Sequence, residues 1–104
     1  MTRPELEALI DSGNEIAIID ALLSAAYYDP DWRWVQGVSL RFLDHADVWV
    51  RRTAATCFGH IARIHKTLDL DLVLPKLQVL RGDPAISSSV ESALEDIHLF
   101  LRVH

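Results

Sequence analysis

Apolar residues recur along this chain at intervals of three and four rather than two, and Gly and Pro fall between the apolar runs, with one exception at Pro75. That pattern predicts helices from end to end. A short first segment over 4–11 has Pro4 in its first turn and Leu6, Leu9 and Ile10 on one side. Ser12-Gly13-Asn14 breaks it. Asn14 then caps a second helix that runs to Tyr28, where Asp29-Pro30-Asp31 stops it. Ile16, Ile18, Ile19, Leu22, Leu23, Ala25 and Ala26 ring this helix, so cover on more than one side is expected.

A third helix over 31–44 carries Trp32, Trp34, Val35, Val38, Leu40, Phe42 and Leu43, with Trp34 expected in the core. After the turn His45-Ala46-Asp47 comes the longest helix, 48–65, with Asp47 positioned to accept from its free first-turn amides. A fifth segment over 70–80 contains Pro75, which predicts a kink or a restart. Arg81-Gly82-Asp83-Pro84 breaks the chain a last time, and a final helix is expected over 84–102.

A repeat organises these elements. From Asp47, steps of three, seven, eleven and fourteen residues reach Val50, Ala54, Phe58 and Ile61; from Asp83, 36 residues later, they reach Ile86, Val90, Leu94 and Ile97. Starting 36 residues earlier, at Asp11, the last three steps reach Ile18, Leu22 and Ala25, while the step of three lands on Asn14. A period of that length holding two helices is the signature of an α-solenoid, whose helix pairs bury their faces against their neighbours. The expected fold is therefore all-α: a short solenoid of about six helices in one domain over 1–104, with pairs near 31–65 and 69–102 and a partial pair at 4–28.

Composition narrows the function without supplying one. The 104 residues hold 15 Asp and Glu against 10 Lys and Arg, a formal charge of −5, which weighs against general nucleic-acid binding. A single cysteine, Cys57, forms no internal disulfide and falls on the apolar stripe of the fourth helix, as a core residue would. The acidic N-terminus does not resemble a secretion signal and no apolar run approaches a membrane span, so the expectation is a cytoplasmic protein that does not enter membranes.

Five histidines were weighed as ligands: His45, His60, His65, His98 and His104. His60 and His65 project about 140° apart on one helix and do not share a metal, and no His-x-x-x-His or Cys-x-x-Cys spacing occurs. His65 falls near the apolar stripe, as a core histidine does. Asp69 and Asp71 stand where carboxylates cap a helix start rather than hold a cation. Without a phosphate loop or a nucleophile–base pair, the expectation is no enzyme, no catalytic residue, no metal and no cofactor.

The stretch from Leu74-Pro75-Lys76-Leu77 to Arg81-Gly82-Asp83-Pro84, followed by Ala93-Leu94-Glu95-Asp96-Ile97, resembles a HEAT repeat, as does Asp47-Val48-Trp49-Val50-Arg51-Arg52 followed by Ala54-Ala55 and Phe58-Gly59-His60-Ile61. Val50-Arg51 matches the family's Val-Arg pair, whereas Ile86-Ser87 keeps only the apolar member. The order Asp31-Trp32-Arg33-Trp34-Val35-Gln36, Gly59-His60-Ile61-Ala62-Arg63-Ile64-His65 and Ala93-Leu94-Glu95-Asp96-Ile97 also resembles small HEAT-like bacterial immunity proteins of contact-dependent or polymorphic toxin systems. That resemblance implies a protein that binds a cognate toxin domain and occludes its active site. An acidic chain would associate faster with a basic partner such as a nuclease.

The candidate contact residues lie on the fourth and last helices. Arg52, Thr56 and Arg63 point away from the apolar stripe, with Trp49 and His60 on their flank, and Glu91 and Glu95 belong to the polar side of the last helix. Trp and Arg are the residues most enriched at binding hot spots. If second helices line the working surface, Arg52, Thr56 and Arg63 adjoin Ser88, Ser92 and Glu95 there. Three alternatives stay open: Trp49 packed against a neighbouring helix, a DNA-binding role for Arg33, Arg52 and Arg63, and a generic HEAT-like scaffold. Arg51, four residues after Asp47, is placed for a local ion pair.

Overall fold

The computed structural model describes residues 1–101 and contains six helices and, among those residues, no strand: α1 (Arg3–Ile10), α2 (Glu15–Tyr28), α3 (Trp32–Phe42), α4 (Val48–His65), α5 (Leu70–Leu80) and α6 (Ser87–Leu101). The expected continuation of the last helix to Arg102, and His104, lie outside the described residues.

Local chemistry sets most of the ends. The Thr2 hydroxyl accepts from the Glu5 amide, Asn14 Oδ1 from the Ala17 amide and Asp31 Oδ1 from the Trp34 amide, so three helix starts are capped by side chains. Asp47 Oδ1 accepts from both Trp49 and Val50. Asp69 occupies the cap position of α5 but makes no capping bond with its side chain; its amide instead donates to Oε1 of the buried Gln36 at 2.7 Å. At the C-terminus of α4, Lys66 takes the left-handed conformation with φ 57°.

Two helices are shorter than their patterns predict. α3 stops at Phe42 because the Leu43 amide turns onto the Ser39 and Leu40 carbonyls and closes the last turn. α6 begins at Ser87 rather than Pro84, since Asp83 holds residues 83–86 in a turn: its Oδ1 accepts from the Ala85 amide and its carbonyl from the Ile86 amide. Helix α5 runs unbroken past Pro75, where Pro75 and Asp71, the residue whose carbonyl loses a donor, are both exposed.

Helix α4 is the centre. It packs against α2 on one side and α6 on the other and carries α3 as well, while α1 packs on α2 and α5 on α6. Its Val50, Ala54, Ala55, Cys57, Phe58, Ile61 and Ala62 are all fully buried. Small residues let the neighbours come close: Cys57 Sγ lies 3.6 Å from the Leu22 carbonyl, and Gly59 sits directly beneath the side chain of Asp96. Burial pushes the Cys57 thiol up to about 12, as befits an inert core residue. Helix α2 is covered by α1, α3 and α4, yet Ile16 from its apolar ring is exposed.

Five long-range polar contacts share a similar sequence separation. Arg51 to Asp83, Arg52 to the Ala85 carbonyl, Cys57 to Leu22, Asp69 to Gln36 and Lys76 to Asp44 all join residues 32–35 apart. Segments about one period apart thus lie side by side. Arg51 does not form the expected pair with Asp47, whose carboxylate is occupied as a cap. It pairs with Asp83 and also donates through Nε to the Leu43 carbonyl at 3.3 Å. Together Arg51 and Arg52 clamp the α5–α6 turn to the first turn of α4. At the other end, Arg3 grips Asp29 with two hydrogen bonds and lies 3.9 Å over the ring of Trp34, which is half-buried rather than enclosed.

Two predictions follow from this packing. Phe58→Ala is expected to cost about 3–5 kcal/mol in urea unfolding, the usual range for deleting a buried aromatic. Arg51 and the Ala85 amide hold the Asp83 carboxyl below its ordinary value, so its contribution is complete above the ordinary carboxylate range and is lost as pH falls through its lowered one. Asp83→Asn should therefore lower the unfolding midpoint at pH 7, with the difference from the wild type shrinking on acidification toward pH 3.

Candidate partner-binding surface

Eleven residues separate Trp49 from His60, which returns the helix to within about 20° of the same direction. Trp49, Thr53, Thr56, His60 and Arg63 accordingly form one stripe along the outer side of α4, opposite its buried face. Trp49 is 61 % exposed, so of the two readings the solvent-facing one holds. The Arg52 guanidinium lies 4.7 Å from the centre of the Trp49 ring while its Nε donates to the Ala85 carbonyl at 2.8 Å. An arginine fixed by the neighbouring turn thus backs the indole.

The two threonines are partly spent. Thr53 donates to the Trp49 carbonyl and Thr56 to the Arg52 carbonyl, each closing a bond within its own helix. Farther along, His60 stacks against Tyr27 of α2 with ring centres 4.5 Å apart, and Nη2 of Arg63 lies 2.9 Å from its Nδ1. Because a guanidinium only donates, Nδ1 is the acceptor there and the neutral ring carries its proton on Nε2. Tyr28, 82 % exposed, lies beside Tyr27.

Glu91 and Glu95 do not join this stripe. Adjacent helix positions point about 100° apart, and on α6 it is Asp96, not Glu95, that faces α4, against Gly59 and near His60. Glu91 and Glu95 lie on the flank toward α5, where Arg81 Nε meets Glu91 Oε1 at 2.8 Å. They border a groove of about 610 Å³ lined by Leu74, Gln78, Arg81, Glu91, Leu94, Glu95, His98 and Leu99. The expected meeting of Arg52, Thr56 and Arg63 with Glu95 is thereby corrected, and the candidates divide into two surfaces. Arg33 belongs to neither: it lies on α3, stacked on Trp32.

Tyr27, Tyr28 and Asp96 were missed in the sequence. The signal was the period itself, since Tyr27 precedes His60 by 33 residues and Asp96 follows Gly59 by 37. Among the described residues no group of three His, Cys, Asp or Glu is placed to hold a metal, and no helix is long and apolar enough to cross a membrane.

A solved chain in the crystal structure of a CDI complex from Cupriavidus taiwanensis LMG 19424 matches this one with 36% identity and a TM-score of 0.86, covering 96% of this chain and 89% of its own length. This chain belongs to the family of that CDI-complex component. No family model and no curated protein matches it.

In this member of the CDI-complex family, the α4 stripe has a defined protonation state. Burial first, and the Arg63 guanidinium second, hold His60 below its ordinary 6.5, with Asp96 opposing them. As pH falls, the unfolded chain therefore takes up this proton before the folded one. Stability declines from about pH 6.5 until His60 itself protonates, and this group causes no further loss below that point. Proton NMR titration of the ring should place His60 under 6.5, with Arg63→Ala moving the value up and Asp96→Asn moving it down.

Proposed function

We propose that this chain is an immunity protein, which binds a cognate toxin domain and neutralises it by covering the active site. The observation that carries this reading is the 36% identity, over nearly the whole chain, to a component of a CDI complex. A protein of this family occurs in an assembly with another protein, and the present chain has a surface suited to one. Its layers are read as a short HEAT-like solenoid in a single domain, with α3–α4 and α5–α6 as pairs and α1–α2 as the partial one, acting in the cytoplasm.

The surface assigned to the toxin is the α4 stripe with its α2 neighbour: Trp49, Arg52, Thr56, His60 and Arg63, joined by Tyr27. Exposed Trp and Tyr backed by Arg on one face is the composition of a hot spot, where large rigid side chains supply area at little conformational cost. Helix α4 is about 27 Å long, and α2 and α6 flank it at roughly 8–10 Å. Their common face is thus large enough to contribute one side of an ordinary interface of about 800 Å² per partner. Occlusion needs no chemistry from this chain. A net charge of −5 steers it toward a basic partner, such as a nuclease domain.

Nucleic acid fits this surface less well. Arg52 and Arg63 are engaged by the Ala85 carbonyl and His60, Asp96 stands near His60, and Arg33 is stacked on Trp32 of α3.

Co-expression with the cognate toxin domain should restore growth, and the two proteins should co-purify. Trp49→Ala should weaken binding at least tenfold in calorimetry while leaving the melting temperature within a few degrees, because the indole is exposed. Unchanged binding by both Trp49→Ala and Tyr27→Ala would place the interface elsewhere on the molecule.

A further inference from the structure

The groove between α5 and α6 is separate from the α4 stripe and faces a different direction. Helix α6 gives one flank to α4 and the other to α5, and the seam between α5 and α6 stays partly open. What remains is an open trough of about 610 Å³, within the roughly 300–1,000 Å³ typical of ligand-sized clefts. Leu74 and Leu94 form an apolar floor, and Leu99, 69 % exposed, forms an apolar rim.

Charge is arranged along one wall. Glu91, Glu95 and His98 stand at i, i+4 and i+7 on α6, spaced over about 10 Å. Arg81 reaches across to Glu91, in a pair whose side chains are 54% and 46% exposed. A pair that open to water holds little free energy and exchanges readily with an incoming cation. Glu95 is exposed and makes no ion pair among the described residues.

The net charge of the molecule has the same sign, −5. Arg3, Arg41, Arg51 and Lys76 each pair with a carboxylate elsewhere in the fold, so none of these four lies opposite Glu95. The surplus of carboxylates is what the solvent meets.

We propose that this groove is a second docking site for the toxin, taking a basic segment whose apolar side chains rest on Leu74, Leu94 and Leu99 while a Lys or Arg engages Glu95. This rests on the immunity reading and adds to it a second contact of opposite polarity. A second copy of this chain is a poor occupant, because two copies each bring a net charge of −5 and meet like charge with like. The basic segment satisfies both features of the trough at once: its apolar floor and its free carboxylate.

The test uses the full chain with its cognate toxin domain as probe. A photo-crosslinker installed at Gln78, on the α5 wall, should capture a toxin peptide containing Lys or Arg. Glu95→Lys should reduce affinity at least tenfold at low salt, less at high salt, with an unchanged melting temperature, and reversing the captured toxin residue to Glu should restore binding. Leu99→Asp should weaken binding as well, independently of salt. Crosslinks only between two copies of this chain, or wild-type affinity in both Glu95→Lys and Leu99→Asp while Trp49→Ala fails to bind, would overturn the groove and leave the immunity reading standing. Failure of the wild-type chain to bind the toxin domain would overturn both.

Discussion

Helix α4 is enclosed by α2, α3 and α6, and the constraint behind that arrangement is how closely those helices approach it. Ala54, Ala55, Gly59 and Ala62 supply the room, while Val50, Phe58 and Ile61 supply the apolar area that makes approach worthwhile. Burial of apolar surface contributes roughly 25 cal/mol per Å², so a helix covered on three sides gives more stability per residue than one lying on a surface. A side chain at Gly59 would meet the Asp96 carboxylate and require it to swing aside. Everything else is attached to this packing: the two arginines of the first turn of α4 fix the α5–α6 turn, and that turn in turn supports Arg52 beneath Trp49.

Much of this was readable from the chain because it depends on local rules. Periodicity and turn residues located all six helices, and the caps at Asn14 and Asp47 form the bonds their side chains promise. The 36-residue period foretold which segments meet. Errors arose where a distant residue outcompeted a local one. Asp47 is a cap, so Arg51 turned to Asp83; Asp69 leaves its cap unmade and gives its amide to Gln36.

The candidate surface was legible in part for a related reason. Helical geometry gave the stripe from Trp49 to Arg63 correctly, because all its members share one helix. It did not reveal that Glu95 and Asp96, adjacent in sequence, serve different sides of α6. Nor did it bring Tyr27 to His60, since a contact between helices depends on their rotation about their own axes, which an approximate period leaves undetermined. The outcome is an acidic protein with an aromatic and cationic stripe on one side and a carboxylate-edged trough on another.

The anchoring of Arg52 has an evolutionary consequence. The buried face of α4 and the clamp on the α5–α6 turn maintain the fold, while the Trp49 indole, largely in solvent, contributes little to it. Substitution of that indole therefore changes the chemistry of the outer face at little expense to folding. A scaffold divided in this way tolerates change on its outer face that its core would not.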